Sequence, residues 1–300
     1  MSASRAGGAH ATSRRLRARA TALRALRRWL EDRGYLEIQT PVIVPSPALE
    51  ANLYALPAGG GWLRTSPELA LKKALATGLP RVYEIGPCFR DRERGPWHRA
   101  EFTMLEWYRA GAALDDLIDE TEALVRHVAD ALGAPDPGPI PRRAVRDVFR
   151  DATGLDGWTA TAAELSERDA PDREAAFFRR WVEDVEPRLG TTFLVDWPPD
   201  QAALAEVHAR RDGAVARRFE LYLGGIEIAN AFQELRVPAE MLRRYEESAA
   251  IRRARGEAPH AVDHDAIEAV GRLPLMSGIA VGFDRLVACL AGWRGLDDGA

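Results

Sequence analysis

The stretch over residues 81–109, RVYEIGPCFRDRERGPWHRAEFTMLEWYR, constrains this chain more than any other. Residues 82–89 carry Val, Tyr, Ile and Phe with no helix-favouring run, which reads as a strand. Residues 91–100 form a charged loop with Gly95 and Pro96, and residues 101–109 form a second strand. Side chains alternate along a strand, so Phe102, Met104, Glu106 and Tyr108 share one face. A flat ring, a carboxylate and a phenol together suit a pocket for a planar base and a cation. Arg90 enters the loop and His98 lies near its far end; both suit phosphate, the arginine through its planar fork. A plain hairpin with a solvated loop would satisfy the same pattern.

Three hundred residues are ample for a sizeable core, and 46% apolar with 29% charged content describes an ordinary soluble protein. A formal charge of −4 gives no global drive toward nucleic acid. Two cysteines, Cys88 and Cys289, make no disulfide framework, so a reducing cytoplasm fits. No apolar run reaches the ~20 residues of a membrane span, and no secretory leader is evident. The only lysines, Lys72 and Lys73, read as codon composition rather than chemistry.

Residues 1–13, rich in Ala, Gly and Ser, are expected to be disordered, with one catalytic domain over 14–300. Residues 14–33 read as a basic amphipathic helix whose apolar side is Leu16, Ala20, Leu23, Leu26, Trp29 and Leu30, stopped by Gly34. An extended segment then meets Pro41. Ser66, Pro67 and Glu68 signal a helix start. Glu68 there is by itself a favourable charge at a helix N-terminus. Residues 114–132 are helical, and an insertion over about 133–190 is expected to be helical (144–153, 162–168 and 172–189) and uninformative about chemistry.

Residues 192–197 form a buried strand. Residues 217–234 form two strands about a Gly224-Gly225 hairpin turn. Pairing Tyr222 with Glu227 puts Glu220 diagonally near Glu227, within reach of a shared Mg²⁺. The same parity puts Asn230, Phe232 and Glu234 on the opposite face. A bend or bulge near Ala229 must intervene if all serve one site. Residues 275–292 read as a small-residue strand leading into a helix, with Asp284 at its start and Arg285 projecting toward an anion.

The 81–109 stretch resembles motif 2 of the class II aminoacyl-tRNA synthetases. It matches the lysyl branch at Phe89, Arg90, Glu93, Gly95, His98, Glu101, Phe102, Thr103 and the ending Leu105-Glu106-Trp107-Tyr108-Arg109. The helix–Gly–strand–Pro run resembles motif 1, which builds the dimer interface in that family. Gly278, Gly282, Asp284 and Arg285 resemble motif 3. The Glu-Trp-Tyr-Arg ending and Ala280, where lysyl-tRNA synthetases generally have Gly, point to the elongation factor P–lysine ligase family. The resemblance implies an α+β fold, an antiparallel sheet flanked by helices. It implies an ATP-dependent ligase with Mg²⁺, working as a cytoplasmic homodimer.

By the same resemblance, Arg90 grips the α-phosphate and carboxylate, and His98 and Arg285 hold the outer phosphates. Phe102 stacks on adenine opposite Arg285, and Glu93 belongs to the ATP site. Glu68 takes the α-amino group. Glu106, Tyr108 and Glu234 read a side-chain ammonium, with Asn230, Phe232 and Ala280 completing the amino-acid pocket. Glu220 and Glu227 hold Mg²⁺. The chain departs from the pattern at Ala231, whose methyl is expected to narrow the pocket or shift the backbone, at Arg236-Val237, and at Arg99-Ala100 in the loop.

Motif 1 begins within about the first 35 residues, which leaves no room for an anticodon-binding domain of typical size, so tRNA is not the expected acceptor. The implied reaction moves lysine or (R)-β-lysine onto a lysine of elongation factor P. The alternatives are a class II amino-acid ligase with another acceptor (a carrier protein, a metabolite or tRNA) and a catalytically silent regulatory paralogue.

Overall fold

The computed structural model describes residues 2–47, 49–165 and 173–297, with backbone alone for residues 2–11 and 174. In chain order the helices are α1 (Ser2–Glu31), α2 (Glu68–Leu75), α3 (Leu114–Leu132), α4 (Val145–Thr153), α5 (Ala162–Leu165), α6 (Arg173–Arg180), α7 (Pro238–Ala254), α8 (His264–Gly271) and α9 (Phe283–Leu290). The strands are β1 (Leu36–Glu37), β2 (Ile43–Val44), β3 (Pro57–Ala58), β4 (Gly61–Leu63), β5 (Arg81–Phe89), β6 (Glu101–Ala110), β7 (Arg142–Ala144), β8 (Thr192–Trp197), β9 (Val207–His208), β10 (Val215–Leu223), β11 (Ile226–Gln233) and β12 (Met276–Gly282).

The main sheet runs β1-β5-β6-β12-β11-β10-β8-β7, with β9 on β10. Its six central strands are antiparallel, as expected. The edge pairs β1–β5 and β7–β8 are parallel, so the sheet is mixed. The fold is α+β.

Alternation along the strands sorts the side chains between two layers. Tyr83, Leu105, Trp107, Phe219, Leu221, Ile279 and Val281 point into one core, closed by α1, α3 and α9 through Leu26, Trp29, Leu117, Val125 and Phe283. The opposite face is divided. At one end Val82 and Tyr108 pack under α2, α7 and α8 with Leu71, Met241 and Ile267. At the other end Leu194, Trp197 and Tyr222 pack under α4, α6 and the helical turn that follows α6, with Phe149, Phe177 and Trp181. The candidate site lies on the sheet between these two apolar ends.

Several expectations are corrected. Backbone helix α1 extends back to Ser2 through the segment expected to be disordered, consistent with its alanine content. Its buried side is Ala22, Ala25, Leu26, Trp29 and Leu30, whereas Leu16 is 62% exposed. The 133–190 insertion is not wholly helical: Arg142–Ala144 adds an edge strand to the sheet. The expected helical segments ending at Arg168 and starting at Asp172 run into residues 166–172, outside the described residues. Cys88 is buried, Cys289 is partly buried, and both are free thiols. Among the described residues no helix is long and apolar enough to cross a membrane.

Candidate active site

Register places the candidate side chains on one face of the sheet. Glu106 of β6 stands opposite Ala280 of β12, which in turn pairs with Asn230 of β11. One step along, Tyr108 pairs with Gly278, and Gly278 with Phe232. Small residues on β12 are needed here, because a Cβ on Gly278 would overlap the Tyr108 ring.

The hairpin shows how the acids on β10 and β11 reach the same face. Tyr222 pairs with Glu227 as the turn demands, and the next pair is Leu221 with Ala229. Ile228 is therefore the extra residue of a β-bulge, at the place where parity required one. Beyond the bulge Glu220 pairs with Asn230 and Arg218 with Phe232, so Glu227, Asn230 and Phe232 share a face.

That face floors a cavity of about 280 Å³. It takes in Glu68 from α2, Arg90, Glu93, His98 and Phe102 from the β5–β6 hairpin, Glu106 and Tyr108 from β6, Glu227, Asn230, Phe232 and Glu234 from β11 and its extension, and Ala280 and Arg285 from β12 and α9. Glu220 is the one candidate that does not line it. Its carboxylate is held by Arg218 and accepts the Tyr222 hydroxyl at 3.2 Å.

One end of the cavity is cationic. The Arg90 guanidinium lies 5.2 Å from the Phe102 ring centroid, and its Nε is buried with no partner among the described residues. Arg285 donates from Nε to the Trp97 carbonyl and from Nη1 to the Glu227 carbonyl, both at 3.0 Å. This locks α9 to the motif 2 loop. His98 sits 3.5 Å from Glu93, and burial, then the nearby Arg285 charge, hold its imidazole below its usual range. Asp284 is a scaffold: it pairs with Arg19 and accepts the Thr103 amide at 2.7 Å.

The other end is acidic and buried. Glu106 is 1% exposed, accepts the Tyr108 hydroxyl at 2.7 Å, and burial pushes its carboxyl up to about 8. Its Oε2 and Glu234 Oε1 are buried without a hydrogen-bond partner among the described residues. A buried carboxylate oxygen left unpaired costs free energy, so these two mark where a cationic ligand is wanted.

Glu220 and Glu227 fit a divalent cation in their chemistry. Glu220 is buried, and its carboxyl is pushed up to about 8 by burial, with the Glu227 charge adding to the rise. Glu227 lines the cavity, and a pair of carboxylates would suit Mg²⁺, which takes one or two carboxylates plus phosphate oxygens.

Ala231 does not enter the pocket. It pairs with Phe219 and Ile279 on the reverse face of the sheet and packs in the helical core, so its methyl neither narrows the cavity nor touches a ligand there. Arg236 turns away to bond Glu206 at 2.9 Å. Arg99 reaches the Leu296 carbonyl at 2.8 Å and pairs with Asp297, fixing the C-terminal segment to the loop.

Three residues were missed in the sequence. Lys72, set aside as composition, is fully buried at the acidic end. Its i,i+4 spacing from Glu68, on the apolar face between Leu71 and Leu75, was the available signal. Glu50, half-buried in the 45–54 loop, lines the cavity, and burial followed by the Glu68 charge raises its carboxyl. Glu186, in the insertion read as uninformative about chemistry, accepts the Tyr222 hydroxyl at 3.4 Å.

The mixed, mostly antiparallel sheet flanked by helices is that of a class II synthetase domain. The family of class II tRNA synthetases (D, K and N) matches residues 8–298, and the chain belongs to it. Within that family it falls in the branch of the elongation factor P–lysine ligases. It is 34% identical over 313 aligned positions to the elongation factor P–(R)-β-lysine ligase of Vibrio atlanticus, covering 96% of this chain and 95% of that one. It is also 34% identical to the proteins of the same name from Yersinia enterocolitica, covering 93% and 92%, and Vibrio cholerae, covering 94% and 93%.

Proposed function

We propose that this chain activates lysine or (R)-β-lysine with ATP and transfers it to a lysine side chain of elongation factor P, acting as a cytoplasmic homodimer. The observation that carries the reading is the pair of unpartnered buried oxygens, Glu106 Oε2 and Glu234 Oε1, in the same cavity as Arg90 and Arg285. A diamino acid supplies what that end lacks, with Glu68 available to its second ammonium. The relatives' names supply the acceptor.

In the first step a substrate carboxylate oxygen attacks the α-phosphorus of ATP, and the bond to the β-phosphate oxygen breaks. Arg90 aligns the carboxylate and neutralises charge on the α-phosphate; Arg285 and His98 receive the outer phosphates, and Phe102 stacks on adenine. Mg²⁺, held by Glu220 and Glu227, would supply further neutralisation of phosphate charge. In the second step the acceptor amine attacks the adenylate carbonyl and AMP leaves. Fixed positions and fixed charges do the work, with no covalent enzyme intermediate.

The test is transfer of radiolabelled lysine or (R)-β-lysine to purified elongation factor P, with a variant lacking the acceptor lysine as control. Label on the wild-type acceptor alone supports the reading. Adenylate formation without label on elongation factor P would move the protein to another acceptor.

A further inference from the structure

The Lys72 ammonium lies 2.5 Å from Glu68 Oε1 and 2.6 Å from Glu234 Oε2, 0% exposed, and 5.6 Å from the Tyr108 ring centroid. Those two carboxylates are the ones placed to receive substrate ammoniums, so a side chain of the protein already occupies one oxygen of each. The remaining Glu234 oxygen and Glu106 Oε2 are unpartnered. Glu50, Glu68, Glu106 and Glu234 line this end of the cavity against the single cation of Lys72, so acids stand in excess there, and a diamino acid brings two ammoniums.

We infer that Lys72 is a resident cation that offsets part of the negative charge of the amino-acid pocket and holds Glu68 and Glu234 in position to receive a diamino acid. The inference rests on the proposed substrate class. Without Lys72, Glu68 and Glu234 would face each other across the vacated space with no counter-charge. Burial already pushes the Glu234 carboxyl up to about 8 while Lys72 opposes that rise. Like-charged carboxyls in a buried site cannot both stay ionised, so without Lys72 one would hold its proton to higher pH and bind a cation less well. Lys72 itself is stable as a cation. Burial alone would push its ammonium down, but Glu234 and then Glu68 outweigh that and hold it above its usual range. The other groups facing it are Glu106 and Tyr108 from β6, Tyr245 from α7 and Glu50 from the loop. None of them is a second cation. Lys72 is a positioning residue, acting on the substrate through Glu68 and Glu234.

The test compares wild type and Lys72→Met in ATP–pyrophosphate exchange with lysine and (R)-β-lysine across pH 7 to 9. The expected result is a rise of about tenfold or more in KM for the amino acid, with KM for ATP nearly unchanged. The pH at which kcat/KM rises should move up by about one unit, because the pocket acids have lost the charge that kept them ionised. A folded Lys72→Met with wild-type KM and pH profile overturns the inference. Lys72→Arg keeps the charge and should keep the wild-type pH profile even where affinity falls; a profile like that of Lys72→Met overturns it.

If Lys72→Met does not fold, the wild type decides the point. Lys72 and Lys73 are the only lysines, so ¹⁵N-lysine labelling gives two side-chain signals. Lys72 should remain an ammonium at pH 9, exchange slowly and shift on adding (R)-β-lysine, unlike Lys73, whose side chain is 42% exposed. A neutral amine or a signal indifferent to the amino acid overturns it. A wild type that exchanges with no diamino acid defeats the proposed function. The charge state of Lys72 is then still read from the spectrum.

Discussion

Tyr108 and Gly278 stand opposite each other on β6 and β12, and the Tyr108 ring fills the space that a side chain on Gly278 would occupy. The ring carries the hydroxyl bonded to Glu106, and its face lies toward Lys72. The position of the whole acidic end therefore depends on a missing methyl. Gly278→Ala should displace the ring, destabilise the fold by about 1–3 kcal/mol as overpacking does, and raise KM for the amino acid much more than KM for ATP. Thermal unfolding and exchange kinetics check this. Unchanged KM for the amino acid contradicts the placement.

Ala231 gives the opposite expectation. Its methyl lies in the core behind the sheet, so Ala231→Gly should leave KM for lysine and (R)-β-lysine within about twofold. The cost should be about 0.5–1 kcal/mol of stability for a glycine inside a strand. A change of substrate preference in this variant would show that the position acts on the pocket after all.

The acidic end predicts a pH dependence with a definite sign. Burial raises the Glu106 carboxyl to about 8, so in the empty pocket it is largely neutral at pH 7 and ionises as pH rises through 8. An ammonium binds the ionised form. KM for the amino acid should therefore fall between pH 7 and about 8.5, and binding at pH 7 should release protons. Calorimetry in buffers of different ionisation enthalpy measures the release. Proton uptake, or a KM that rises over this range, contradicts the assignment.

Arg285 bonds two carbonyls and projects at the cationic end. Arg285→Ala should lower adenylate formation by at least about 100-fold, the scale of losing a preorganised charge at a transition state, while circular dichroism remains that of the folded protein. Normal activity in the folded variant would sink the phosphate-site assignment.

What could be read from the chain, and what could not, follows from sequence distance. The β10–β11 register was legible because a two-residue turn fixes it, and parity then demanded the bulge found at Ile228. The β6 face was legible because strands alternate. Ala231 was misplaced because its departure from the family pattern was weighed without strand alternation, which puts it on the face opposite Asn230 and Phe232. Lys72 was invisible as chemistry because its second partner, Glu234, lies 162 residues away. Glu186 was hidden for the same reason: the insertion's own pattern shows helix turns, and only folding brings Glu186 beside Tyr222.

The central claim is that this cavity makes an adenylate of a diamino acid. ATP–pyrophosphate exchange by the purified protein, with Mg²⁺ and a panel of amino acids including lysine, (R)-β-lysine and norleucine, tests it most directly. The account predicts exchange with lysine or (R)-β-lysine and none with norleucine, which lacks the second ammonium for Glu106 and Glu234. Exchange with norleucine equal to that with lysine, or no exchange with any member of the panel, would contradict it.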